Sequence, residues 1–388
     1  RGYPLDRLLA LHALPSPPCA MEEEKYEPDE KSMEGSARSP LLLKFEMYPE
    51  AIAVFEPRKF IAVGSSALTG NTWDGQLSII GISGEGQSDK MHKIQSVRTT
   101  AGITSLAFAG VTDTPLLLSA GDDGDISCWQ TAKGVEKPLV PKPVSTLRGH
   151  GSIVTSLSVQ RLRESTSAPP KSSSQLLSSS YDHKILLWDL AVSAEPIGNY
   201  LSHTNYANQV RWSKTDPNAF FSTGKDGYIL FWDKRGSKPS GGLRHSEEVS
   251  CFDTHSHHLI FGSSSGGVGH IDMRKVGHSK TAASHTSPIV SLDARVCSLE
   301  FSPDGAHIAV GGENSQLHVY ATEQLDSATK RQREKQRRNI SSAPPVTMQM
   351  RSVFGDFVRD IKWISSIKGF SLASTSLDRK LRLHRKCS

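Results

Sequence analysis

The chain is 388 residues long, with 45 Lys and Arg against 40 Asp and Glu, a net charge of +5, 37% hydrophobic and 7% aromatic residues. That content suffices for cores between sheets, and no run approaches the roughly 20 apolar residues of a membrane-spanning helix. The five cysteines, Cys19, Cys128, Cys251, Cys297 and Cys387, are scattered without a CxxC pair, a usage that suits a reducing compartment and argues against a disulfide framework or structural zinc.

Residues 1–40 read as a mobile N-terminal segment. Residues 7–14, followed by Ser16-Pro17-Pro18-Cys19-Ala20, loosely imitate a signal peptide, but the apolar run is short and His12 interrupts it. Met21 opens a charged, Ser- and Pro-bearing stretch that begins Glu22-Glu23-Glu24 and has too few apolar residues to fold by itself. Met21 is read as the initiator, and residues 1–20 as a translated leader or vector-encoded residues. The ordered part, 41–388, starts with Leu41-Leu42-Leu43 and Ile52-Ala53-Val54-Phe55.

The next run, Phe60-Ile61-Ala62-Val63, is expected to end at Gly64. A Ser/Gly-rich loop then carries Leu68, Asn71 and Trp73 to a turn at Asp74-Gly75. An aromatic and an aliphatic residue on a polar loop are candidate interface anchors, because Trp is enriched among binding hot spots. Packing of Trp73 at its own turn is the equally weighted alternative.

From here one unit recurs: a short apolar run, a turn residue that is usually Asp or Asn, and a second run that ends on a bulky residue. The best copies centre on Asp123, Asp182 and Asp226, ending in Trp129, Trp188 and Trp232; weaker ones centre on Asp74, Ser265, Asn314 and Asp378. Run, turn, run is a hairpin, and an Asp there can accept backbone N–H bonds that hold the turn. A third run precedes each hairpin, as in residues 153–157, 210–212 and 358–363. No amphipathic helix separates the units, so the chain is expected to be all-β. Seven copies near the roughly 40–45 residues of a tryptophan–aspartate blade imply a closed seven-bladed β-propeller, whose first strand completes its last blade. The intervals ending at Asp182 and Asp378 are too long, and inserts at 161–175 and 321–350 account for them. The first is Ser- and Pro-rich spacer.

His150 and His203 stand upstream of Asp182 and Asp226, as in the His–Ser/Thr–Asp–Trp network of WD repeats. His150, Asp182 and Trp188, or His203, Asp226 and Trp232, imitate a catalytic constellation, but a set that recurs blade by blade reads as a buried structural network. No catalytic residue, cofactor or metal is expected. In the fifth unit His255, His257 and His258, with His245 nearby, form a cluster that can bind a transition metal; without Cys or carboxylate at ligand spacing, a polar loop is the preferred reading. The insert at 321–350 contains Lys330-Arg331-Gln332-Arg333-Glu334-Lys335-Gln336-Arg337-Arg338. Its charge equals that of the whole chain, so the basicity is local. It reads as a nuclear import signal or a solvated loop rather than a nucleic-acid contact, since no aromatic residue is interleaved to stack bases.

The string from Gly64 to Trp73 resembles the first-blade loop of the WD-repeat subunits of the methylosome. The likeness continues through Val97-Arg98-Thr99-Thr100-Ala101-Gly102-Ile103, Leu187-Trp188-Asp189-Leu190-Ala191, Ile229-Leu230-Phe231-Trp232-Asp233 and Asp356-Phe357-Val358-Arg359-Asp360, and it covers most of 60–384. The resemblance implies a non-catalytic scaffold. Its loop Trp, at the position of Trp73 with Leu68 and Asn71 beside it, would insert into a type II protein arginine methyltransferase, and the rest would help present histones and Sm proteins. It further implies a cytoplasmic and nuclear protein with no membrane contact. The alternative is a substrate-receptor propeller of a cullin–RING ubiquitin ligase, because Trp232-Asp233-Lys234-Arg235 resembles the WDxR box, with Asp233 and Arg235 facing the adaptor.

Overall fold

The computed structural model describes residues 40–55, 59–69, 72–83, 90–110, 115–132, 138–160, 175–275, 282–283, 289–323, 348–365 and 370–385. Among them the chain is almost all strand, in seven sheets of antiparallel strands, one of which adds a short parallel strand. Blade 1 consists of Tyr48–Phe55, Phe60–Thr69, Thr72–Ser83 and Lys90–Thr99. Blades 2 to 6 repeat the order from Ile103–Ala109, Val154–Val159, Ala207–Trp212, Val249–His255 and Val296–Phe301. Blade 7 takes Val358–Trp363, Phe370–Ser376 and Lys380–Arg385 from the C-terminal end, and its fourth strand, Leu41–Lys44, from the other end of the chain. Leu41 pairs with Leu383 and Leu43 with Leu381, so the ring closes by hydrogen bonds between the two ends of the sequence.

The core is divided between the blades. Each sheet buries both faces, and each boundary has its own apolar slab. Leu118, Leu147, Val154 and Trp188 fill the slab between blades 2 and 3; Ile52, Ile61, Leu381 and Leu383 fill that between 7 and 1. This explains why third strands such as Lys184–Asp189 read as nearly continuous apolar runs rather than alternating ones. Second strands carry small residues where the next blade's first strand passes very close. A Cβ on Gly64, Gly262 or Gly311 would sit 2.4, 2.6 or 2.5 Å from Ile103, Val296 or Val358.

Polar stitches cross every boundary beside these slabs. A side-chain oxygen of one blade accepts a backbone N–H from the first strand of the next. Ser66 takes Ile103 at 3.0 Å, Ser105 takes Leu157 at 3.2 Å, Ser158 takes Trp212 at 3.0 Å and Gln209 takes Phe252 at 2.6 Å. Asp253 takes Phe301 at 2.9 Å, Glu300 takes Trp363 at 3.1 Å and Asp360 takes Ile52 at 2.8 Å. The last stitch spans the closure.

Six of the seven hairpin turns fall at the expected residues. Blade 1 differs, because its second strand does not stop at Gly64. It pairs on through Ser66 with Gly75, Ala67 with Asp74, Leu68 with Trp73 and Thr69 with Thr72, so Asp74-Gly75 lies within a strand. Blade 4 carries a fifth strand, Ala282–Ala283, parallel to Gly241–Arg244. Residues 1–39, nearly all of the 161–175 insert and most of 321–350, including the basic run 330–338, lie outside the described residues. The ends of both inserts are strand: Gln175 opens Gln175–Ser180, Ala321 closes Gln316–Ala321, and Met348 opens Met348–Val353.

Candidate functional site

Two features stand out from the regular ring: the long blade 1 hairpin and the turn networks with which it should be compared. In blade 3 the Trp188 indole can only donate, and it gives its N–H to Ser178 Oγ at 2.8 Å. Ser178 lies 2.7 Å from His150 Nε2, and His150 Nδ1 lies 3.1 Å from Asp182. Since a carboxylate only accepts, the chain runs in one direction: Trp188 to Ser178, Ser178 to His150, His150 to Asp182. Asp182 also takes the amides of Gly151 and Lys184. Burial opposes its charge, but His150 and these amides hold its pKa below the ordinary carboxylate value. Blade 4 repeats this atom for atom, with Trp232, Ser222, His203 and Asp226 at 2.9, 2.8 and 3.0 Å. A network built twice, with its serine hydroxyl committed and its aspartate saturated, is a turn lock rather than a nucleophile and base.

Blade 7 uses different residues at the same positions. Phe354 replaces the histidine, His384 the tryptophan and Ser374 keeps the serine, 2.8 Å from His384 Nε2. The partner that Phe354 cannot supply to Asp378 comes from Arg382, which pairs with the carboxylate and lies 4.3 Å over the Phe354 ring. Blade 2 keeps the indole bond from Trp129 to Ser119 at 2.8 Å. Burial raises the pKa of its turn Asp123, opposed by the Asp125 amide bond and reinforced by the Asp125 charge.

Blade 1 shows no such network among its described residues. At the level where the other blades turn, its two strands keep pairing for four more residue pairs, which extends the hairpin by about 13 Å at roughly 3.4 Å per residue. Leu68 on this extension is 46% exposed, whereas Trp73 directly across from it is only 7% exposed. The expectation of an exposed Trp73 on a loop is therefore corrected. Directly paired residues share one face of the hairpin, and on that face the indole is buried while Leu68 stays exposed. Asn71 lies outside the described residues. Gly75 lets the extension leave the blade, since a Cβ there would be 2.1 Å from the Ala101 carbonyl.

Away from this hairpin, Asp233 receives Arg235 in a bidentate pair, with Nε to Oδ1 at 2.9 Å. The Arg235 side chain is 71% exposed, and the pair holds Asp233 at about 2. The same arrangement recurs one blade on, where Arg274 grips Asp272 at 3.0 and 2.9 Å. The sequence reading missed this second pair because Ile271 replaces the tryptophan; Asp-x-Arg alone would have found it.

The family model described as WD domain, G-beta repeat, matches residues 141–189, 194–233 and 280–320, and the seven sheets form a WD-repeat propeller. The chain is 26% identical to the Xenopus laevis methylosome protein WDR77 over 238 residues, covering 60% of this chain and 66% of that protein. It is 37% identical to the Drosophila melanogaster protein lethal(2)denticleless over 62 residues, covering 16% of this chain and 8% of that one. It is 25% identical to the Dictyostelium discoideum anaphase-promoting complex subunit cdh1 over 150 residues, covering 38% of this chain and 19% of that one. The chain thus matches less than two thirds of the length of each of these relatives.

Proposed function

We propose that this chain is a non-catalytic scaffold that grips a type II protein arginine methyltransferase through the blade 1 hairpin and helps hold protein substrates, such as histones and Sm proteins, for symmetric arginine dimethylation. The observation that carries the reading is the hairpin itself. It projects past the other blade turns, it lacks the network that locks the turns of blades 3 and 4, and it presents an exposed Leu68 across from a buried Trp73. The similarity to a methylosome protein supports the choice of partner. Catalysis belongs to the partner, and the scaffold acts by positioning. The basic run 330–338 would serve nuclear import, giving a protein of cytoplasm and nucleus. The test is affinity capture from cell extract followed by an assay of symmetric dimethylation. Wild type should bring down the methyltransferase and its activity, and Trp73→Ala should lose both; capture of neither by wild type overturns the reading.

The repeated Asp-x-Arg pairs favour a second reading, a ligase receptor in which Arg235 and Arg274 contact a cullin adaptor. It predicts that Arg235→Ala releases an adaptor that wild type captures. Indifference of all captured partners to Arg235→Ala and Arg274→Ala removes it.

A further inference from the structure

Blade 5 carries a histidine group that neither the hairpin nor the turn locks use. Its first hairpin passes from Val249–His255 through Ser256, at a left-handed φ of 53°, and His257 into His258–Ser263. His258 is paired with Asp272, and Ile260 with His270, on the strand Gly267–Asp272. Strand alternation therefore puts His258, His270 and Asp272 on one face of the sheet. The rings agree: His258 Nδ1 lies 2.8 Å from His270 Nε2, and the His257 ring lies 4.0 Å from that of His258. The structure thus selects a different set from the one grouped in the sequence. His270 joins, while His245 packs on Phe261 and His255 on Phe301.

Two facing imidazole nitrogens at this separation share one N–H. They also stand at the short end of the spacing of two ligands on one ion, since nitrogens about 2.0–2.1 Å from a metal at right or tetrahedral angles stand about 2.8–3.4 Å apart. We propose that His258 and His270 form a clamp for a divalent transition metal ion of the copper, nickel or zinc class, completed by water and by Asp272. On metal entry the bridging proton moves to the far nitrogen of its own ring, so both rings remain neutral and no proton is released. Among the described residues no three His, Cys or carboxylate groups already converge on one point. The adjustment required is that Asp272 turn from Arg274, which now holds it, towards the two imidazoles. Imidazole ligands suit this class of metal, and copper is expected to bind tightest. The ion would tie the first hairpin of blade 5 to its third strand, and binding to the folded state alone would raise Tm.

The test uses the whole chain, treated with a chelator and dialysed, then titrated with Cu²⁺ and separately with Zn²⁺. The clamp predicts one tight equivalent of Cu²⁺ whose electron paramagnetic resonance shows coupling to two imidazole nitrogens, and a higher Tm with either ion. His258→Phe and His270→Phe should each lose that equivalent, Asp272→Asn should weaken it at least tenfold, and His92→Ala should keep it. The spectrum needs no variant, so it stands if a substitution impairs folding. A wild-type spectrum without two-imidazole coupling, or full retention of the equivalent by folded His270→Phe, overturns the proposal.

Discussion

At the scale of single residues, the networks predict stability rather than activity. Trp188→Phe keeps a ring but removes the donor to Ser178, and a broken buried hydrogen bond costs about 1–3 kcal/mol. Denaturant unfolding should register that loss, while partner capture remains at the wild-type level. His384 has a different consequence. Burial, and then the charge of Arg382, push its pKa down to about 3. The unfolded chain takes up a proton below its ordinary value of about 6.5, whereas the fold does not. Stability from this group is therefore complete above about pH 6.5 and declines by about 1.4 kcal/mol per unit as pH falls towards 3. The turn carboxylates Asp182, Asp226 and Asp378 are held low in the fold, so their contribution is present above about pH 4 and lost beneath it. Wild-type Tm should begin to fall below pH 6.5, and His384→Gln, which cannot take the proton, should delay that fall to the carboxylate range. Identical profiles for the two proteins would contradict the assignment.

At the scale of elements, the blade 1 hairpin separates binding from folding. Leu68 is exposed and makes little of the core, so Leu68→Asp should leave Tm within about a degree of wild type and lower partner capture at least tenfold. Trp73 is buried, and its truncation should lower both. The hairpin also shows where sequence and structure part. Asp74 is a good turn residue by composition, yet Ala67 pairs with it across a ladder that continues to Thr69 and Thr72. Conversely Asp182 and Asp226 were legible, since their partners lie at repeat spacing. The blade 7 lock was legible only at its turn Asp378: Phe354 and His384 stand where the histidine and tryptophan would, Arg382 supplies the missing partner, and only the register identifies them. His270 escaped for a similar reason, since its partner His258 is adjacent through the ladder and not along the chain.

At the scale of the whole molecule, the propeller is held by closure. Leu41–Lys44 completes blade 7, and Asp360 of that blade accepts the Ile52 amide of blade 1 while also bonding Ser298 of blade 6 at 3.2 Å. One carboxylate therefore joins three blades. Asp360→Ala strands a buried amide and leaves Lys362 without its nearer acid, so it should cost about 2 kcal/mol or more. Hydrogen exchange should localise the loss to the boundary between blades 7 and 1; uniform exchange across all blades would deny the special role of closure. The number of blades and the late pairing of the first strand were readable from the repeat, because spacing and hairpin chemistry are local. The stitches between blades were not, since they join residues whose proximity exists only once the ring has closed.

The most direct test of the account is parallel affinity capture with wild type, Leu68→Asp and Arg235→Ala, each shown to melt as wild type does, with the captured material assayed for symmetric arginine dimethylation. The account predicts methyltransferase and activity with wild type and with Arg235→Ala, and neither with Leu68→Asp. Equal capture by Leu68→Asp, or a cullin adaptor that is lost only with Arg235→Ala, would contradict it.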